Sequence, residues 1–395
     1  MKKFMRLTGA LVALSPITAF AQSSVTLYGL VDAGISYANN VAPKAGAVGG
    51  RKIQETSGVG VPSRWGLRGV EELGGGNTAV FVLENGFSVA NGTMLQGSRL
   101  FGRQAYAGLG NKELGTVTFG RQYESVVDFV GPFVSARQWG TQYGAHVGDI
   151  DNLYTTFRIN NAVKYQSATL WGITLGGLYA FSNQAAGPGG TGFANNRAWS
   201  VGGNYTHNAF SFGVGHFHLS NPSAGGTDGN NTSGAVVGDY SNPTAIFYTR
   251  PVTSHEVTAV GAAYALGAFT LGGAYTYAHL RYADHTSFSM SNYELNGRYR
   301  FTPALVAGIA AIYSIGDVGG ASSIANISEG PHPHWLQFNA GLLYSLSKRT
   351  DVYGAVVYQK ALNGALTAAI VNVGGPSGTN SRYQIATTVG VRHRF

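Results

Sequence analysis

Apolar and polar residues alternate with a period of two in one segment after another, from Ser23 to the end of the chain. The last stretch, "YQIATTVGVRHRF" (383–395), shows the pattern plainly. Ile385, Thr387, Val389, Val391, His393 and Phe395 share one face, and Gln384, Ala386, Thr388, Gly390, Arg392 and Arg394 share the other. Sixteen strands of this kind are predicted. The first eight cover 23–37, 63–73, 78–87, 100–109, 115–123, 157–167, 172–181 and 196–207. The second eight cover 209–219, 255–266, 268–280, 291–302, 304–316, 334–347, 350–362 and 383–395. Most approach the roughly 9–11 residues that a tilted strand needs to cross a bilayer.

Loop lengths alternate as well. Seven connections are tight, such as "EELGGGN", "GNKELG" and "LSKRT". Between them lie eight long ones, near 38–62, 87–98, 124–156, 182–195, 220–254, 281–290, 317–333 and 363–381. Long and short connections that alternate over an even number of strands fit an all-β fold: a sixteen-stranded antiparallel transmembrane β-barrel with short periplasmic turns and long extracellular loops. A soluble sandwich has no reason to alternate in this way. The third long connection carries Phe129, Phe133, Val134, Trp139 and Tyr143, more apolar bulk than an exposed loop needs. It is expected to fold back on the inner wall and narrow the pore; an external loop making subunit contacts is the other reading.

Composition agrees with a barrel. Charged residues are 11% of the chain, against roughly 25% in ordinary soluble proteins. Gly (58), Tyr (22) and Phe (20) are abundant, Pro (12) is scarce and Cys is absent. Without disulfides, a closed hydrogen-bonded barrel can hold itself together. The N-terminus has Lys2, Lys3 and Arg6, an apolar run from Leu7 to Ile17, and Ala19-Phe20-Ala21. This reads as a signal peptide over 1–21, with the barrel over 22–395. Removing it would leave 23 basic against 18 acidic residues, a net +5, with no clustered basic stripe to suggest a nucleic acid partner.

The cations carry the functional signal. In "SRWGLRG", Arg64, Gly66 and Arg68 oppose Trp65 and Leu67; in "GRQAYAGL", Arg103 shares a face with Ala105 and Ala107, opposite Tyr106. In "FRINNAVKYQ", Arg158, Asn160, Ala162 and Lys164 oppose Val163 and Tyr165. Glu294, Arg298 and Arg300 oppose Tyr293, Leu295, Tyr299 and Phe301. A cation at the lipid midplane costs roughly 2–4 kcal/mol, so these residues face the lumen. Enzyme motifs are missing. "GPGGTG" (187–192) has no strand-to-helix context, and "HFH" (216–218) and "HPH" (332–334) lack a third ligand. No catalytic constellation, cofactor or metal site is expected.

The motifs "SSVTLYGLVDAGISY", "SRWGLRGVEELGGGNTAVFVLENGF", "RQAYAGL" and "GTVTFGRQY", with the terminal Phe395, resemble the general diffusion porins of Gram-negative bacteria, especially the beta-proteobacterial branch. The resemblance implies a homotrimeric outer-membrane barrel that passes ions and small hydrophilic solutes, with an inward third loop facing a wall of arginines. Carried over by motif, that basic wall falls on Arg64, Arg68, Arg103 and Arg158, with Lys164 beside it. Many relatives place acids at the loop tip. Here "GPFVSARQWGTQYG" has Arg137 and no acid between Asp128 and Asp149, leaving Glu124, Asp128, Asp149 and Asp151 as candidates. Phe395 resembles the terminal signal read by outer-membrane assembly machinery, and lipid and lipopolysaccharide are the implied surroundings. Cations along a narrow path concentrate anions, so anion selectivity is expected. The competing readings are an adhesin or structural barrel, and a substrate-specific channel. The second would need an aromatic slide, whereas the inward faces are mostly Gly, Ala, Thr and Asn.

Overall fold

The computed structural model describes residues 24–42, 48–184, 192–223, 234–238, 240, 247–322, 324, 328–371, 373 and 381–395. The leader expected over 1–21 and nearly all of the glycine-rich stretch 187–192 lie outside them. The first half of the chain holds β1 (Ser24–Val41), β2 (Gly50–Ser57), β3 (Arg64–Gly74), β4 (Asn77–Gly86), β5 (Gln104–Asn111), β6 (Gly115–Gln122), β7 (Ile159–Gln166), β8 (Ile173–Ala180) and β9 (Arg197–His207). The second half adds β10 (Phe210–Ser220), β11 (Val252–Leu266), β12 (Phe269–Tyr282), β13 (Ser287–Arg300), β14 (Leu305–Gly319), β15 (His334–Ser345), β16 (Thr350–Leu362) and β17 (Tyr383–Arg394).

Every paired neighbour is antiparallel, and β17 pairs with β1 from Ala38↔Ala386 to Leu30↔Arg394. The sheet therefore closes, and no edge is left for a membrane to expose. On its other edge β1 serves two more partners: Ala33–Val41 faces β2, and Ser24–Leu30 faces β3. β2 and β3 are two halves of one wall position, split at residues 58–63. Seventeen segments thus make a sixteen-position barrel, as the alternation predicts.

The pleat sorts the residues as expected. Val25, Leu27, Leu295, Ile309 and Val389 are exposed on the outer wall, while Asp32, Ser36, Asn292, Glu294, Gln337 and Gln384 are buried inside. An apolar exterior around a polar interior suits lipid outside and water within. Two connections differ from expectation. β2 lies within the stretch 38–62 that reads as loop, because Arg51, Lys52, Gln54 and Glu55 leave it no apolar face. The sixth connection, expected over 281–290, is only the turn 283–286. There Asp284 Oδ1 accepts from the Thr286 amide (3.1 Å) and hydroxyl (2.6 Å).

The third connection does enter the barrel. It contains a five-residue helix, α1 (Ser125–Phe129), and four short 3-10 turns. Its Val126, Val130, Ile150 and Phe157 pack with Phe217, Leu219, Val257, Leu280 and Trp335 of the wall. Wall amides bond its backbone: Asn296 Nδ2 donates to Phe133 O (2.8 Å), Asn339 Nδ2 to Gly144 O (3.0 Å) and Gln337 Nε2 to Ala145 O (3.2 Å). Trp139 lies against β14 at Gly308, where a Cβ would stand 2.1 Å from the indole, so only glycine leaves room. The loop thus clings to the β9–β15 side and leaves the β3–β6 side open.

Candidate constriction site

The open side contains a cavity of about 190 Å³. Arg64, Glu84, Arg103 and Tyr123 line it from the wall, and Ala136, Arg137 and Tyr154 from the loop. Arg64 opens β3 immediately after the insert 58–63, which Asp32 of β1 holds inside the barrel. Asp32 accepts from the Gly60 amide (3.3 Å), the Val61 amide (3.1 Å) and the Tyr353 hydroxyl (2.8 Å). The Gln142 amide donates to Val59 O (2.8 Å) and joins the insert to the loop.

Glu84, on the inward face of β4, organises the cations. Its Oε1 accepts from Arg103 Nε at 2.7 Å, and its Oε2 accepts from the Tyr28 hydroxyl at 3.0 Å and lies 3.9 Å from Arg64 Nε. Arg103 Nη2 donates to the Tyr123 hydroxyl at 2.8 Å, and Arg158 Nη2 reaches the same oxygen at 3.5 Å. The Arg158 guanidinium also lies 5.4 Å over the Tyr123 ring. Arg103 Nη1 and Arg158 Nε are buried without a hydrogen-bond partner. Behind them Arg121 donates to Gly102 O (2.8 Å) and Asn160 Oδ1 (2.5 Å), tying strand ends together.

Arg103 reaches this cluster by a different route from the one its alternation suggests. β5 begins at Gln104, paired with inward Glu84, so Tyr106 faces the lumen and Ala105, Ala107 and Leu109 face out. The expectation that Arg103 shares a face with Ala105 and Ala107 is reversed. Arg103 precedes the strand, and its bonds to Glu84 and Tyr123, not the pleat, turn it inward. Arg68 stands apart, exposed to the lumen with its guanidinium 5.4 Å over the Tyr28 ring. Lys164 pairs with Asp128 and donates to Tyr123 O (2.9 Å), fastening α1 to β7.

Of the other loop acids, Glu124 and Asp149 serve the loop's own structure, and Asp151 joins the loop to the wall. Glu124 caps α1, accepting from the Val126 (2.5 Å) and Val127 (3.1 Å) amides, and burial pushes its carboxyl up to about 8. Asp149 accepts from the Tyr154 amide (2.8 Å) and from the Thr156 amide and hydroxyl (3.1 and 2.6 Å); burial, with Asp151 nearby, pushes it up to about 7. Asp151 is buried against His146 (2.5 Å) and Thr276 (2.7 Å), and the imidazolium outweighs burial to hold it below the ordinary range. The acid that lines the cavity is Glu84, which sequence reasoning missed, as it missed Tyr123. Two inward residues on separate strands carry no local motif. At the end of the chain, Phe395 and Gly29 exchange both backbone hydrogen bonds (3.1 Å each).

The family model described as Gram-negative porin matches residues 8–364. The chain belongs to this family. It is 31% identical to an outer membrane porin of Bordetella pertussis, with all of both chains covered. It is 27% identical to outer membrane porin protein 32 of Delftia acidovorans, over 98% of this chain and 99% of the relative. Among solved structures, an anion-selective porin from Comamonas acidovorans aligns over 95% of this chain and 100% of its own, with a TM-score of 0.69 and 22% identity. An outer membrane protein of Vibrio cholerae in trimer form covers 94% of this chain and 99% of its own, with a TM-score of 0.62 and 15% identity. The protein is therefore a general porin of the Gram-negative outer membrane, a channel and not an enzyme.

Proposed function

We propose that this porin passes small anions and hydrophilic solutes with anion preference, through a constriction whose basic wall is Arg64, Arg103 and Arg158. One observation carries the reading: Arg64 and Arg103 share a single carboxylate, Glu84, with Arg158 held beside them on Tyr123, while the facing loop presents Arg137 and no acid to the cavity. In a lumen walled by low-dielectric protein, such an excess raises the local anion concentration and repels cations. Arg68, further toward the short-turn end, draws anions along the same wall. Lys164 is balanced by Asp128 and positions the loop. The description of the Comamonas relative as anion-selective supports the same sign.

The assembly around this channel belongs to the same reading. A homotrimer is supported by the trimer form of the Vibrio neighbour. Residues 1–21 act as the export signal, Phe395 is the mark read by the assembly machinery, and lipid with lipopolysaccharide surrounds the barrel. The test is the zero-current potential of the wild-type protein in a planar bilayer under a KCl gradient. The sign for chloride preference is expected; the sign for potassium preference would overturn the arginine filter while leaving the pore.

A further inference from the structure

We propose that Tyr123 is the titratable element of the constriction's charge filter: ionisation of its phenol, held between Arg103 and Arg158, weakens anion preference in mildly alkaline solution. The inference rests on the anion-selective reading above.

The geometry makes the phenol oxygen an acceptor. Arg103 Nη2 donates to it at 2.8 Å and Arg158 Nη2 reaches it at 3.5 Å. A guanidinium has donors only, so neither partner can receive the phenol's own proton. The phenolate answers both donors; the neutral phenol leaves its O–H without an acceptor among these partners. Arg158 also covers the ring face.

Charged groups face Tyr123 from every neighbouring element. β3 supplies Arg64, β4 Glu84, the start of β5 Arg103, and the β7 side Arg158 and Lys164. The inward loop supplies Glu124, Asp128, Arg137 and Tyr154. The guanidiniums keep their charge throughout. Burial raises Tyr154 further above the ordinary phenol range. For Tyr123 burial works in the same direction, but Arg103 and Arg158 outweigh it and bring the phenol down to about 8. Glu124 is pushed up to about 8 and is the rival group.

The consequence for the filter follows from counting. Arg64, Arg103 and Arg158 against Glu84 give the wall a net charge of +2, and the phenolate reduces it to +1. Tyr123 lines the same cavity, so the change falls where solute passes.

The experiment measures the chloride-to-potassium permeability ratio of the full-length protein in planar bilayers from pH 6 to pH 9. It compares wild type with Tyr123→Phe and Glu124→Gln. The wild-type ratio is expected to fall roughly two-fold as pH rises, in step with the halved wall charge. Tyr123→Phe should hold its pH 6 ratio throughout, and Glu124→Gln should titrate like wild type. A Tyr123→Phe profile that follows wild type, a flat wild-type profile, or a titration lost only in Glu124→Gln would overturn the inference. Potassium preference already at pH 6 would instead overturn the arginine reading on which it rests. Tyrosinate absorbance gives an independent check, even if the variant folds poorly: one phenol of the wild type should ionise below pH 9, and its absence contradicts the proposal.

Discussion

His146 Nε2 lies 2.9 Å from Glu294 Oε2, and through this contact the inward loop is joined to β13. The same imidazole holds Asp151 at 2.5 Å, and Glu294 Oε1 accepts from the Ser135 amide at 2.6 Å. All three side chains are buried. His146→Ala removes the cation shared by two buried carboxylates, a loss of about 3–5 kcal/mol for breaking such a group. The expected result is an undocked loop, seen as new protease cleavage within 124–156 and as noisier single-channel current.

A pH dependence follows from the same contact. Burial opposes the imidazolium, but Asp151 and Glu294 raise its pKa from 6.5 to about 10. A group raised on folding contributes fully below its unfolded value and loses that contribution as pH rises through the folded one. Loop docking should therefore be strongest below about pH 6.5 and weaken as pH climbs toward 10. The thermal unfolding midpoint of wild type should fall over that window relative to His146→Ala. Parallel profiles for the two proteins would contradict this assignment.

Gly29 sits where the barrel closes on itself. A Cβ there would stand 2.3 Å from Phe395 Cζ and 2.9 Å from the Arg64 carbonyl. Gly29→Ala must shift the terminal ring or the backbone of the basic wall, a destabilisation of about 1–3 kcal/mol, typical of overpacking. Gly29→Val should be worse. The check is the temperature at which the folded, faster-migrating band disappears on a gel run without boiling.

Much of this architecture was legible because a membrane barrel writes a binary pattern into each crossing segment. Val389 against Thr388, or Leu295 against Glu294, assigns a strand and its faces together. Apolar bulk at Phe133 and Trp139 likewise marked the loop that enters the lumen. The pattern fails where lipid no longer sets the outer face. β2, with Arg51 and Glu55, and the turn at 283–286 were read as long loops for that reason. It fails again just outside a strand, where Arg103 is turned by its partners instead of the pleat. The pairing of Glu84 with Arg103 and the burial of Asp149 are tertiary facts, and no spacing in the sequence encodes them.

Asp32 controls the second element that intrudes on the pore. Asp32→Ala removes the acceptor of two backbone amides and of Tyr353, leaving buried donors unpaired at about 1–3 kcal/mol. The insert 58–63 should loosen, and single-channel conductance should rise. The arginines stay in place, so the sign of the selectivity should not change. A conductance equal to wild type would show that the insert is held by other contacts.

The central claim is that Arg64, Arg103 and Arg158 act together as the filter. The most direct measurement is the zero-current potential under a KCl gradient for Arg64→Ala, Arg103→Ala and Arg158→Ala combined, beside wild type reconstituted in the same way. The account predicts an anion-selective wild type whose potential collapses toward zero or reverses in the triple variant, with conductance retained. An anion-selective potential that survives the loss of all three arginines would contradict it.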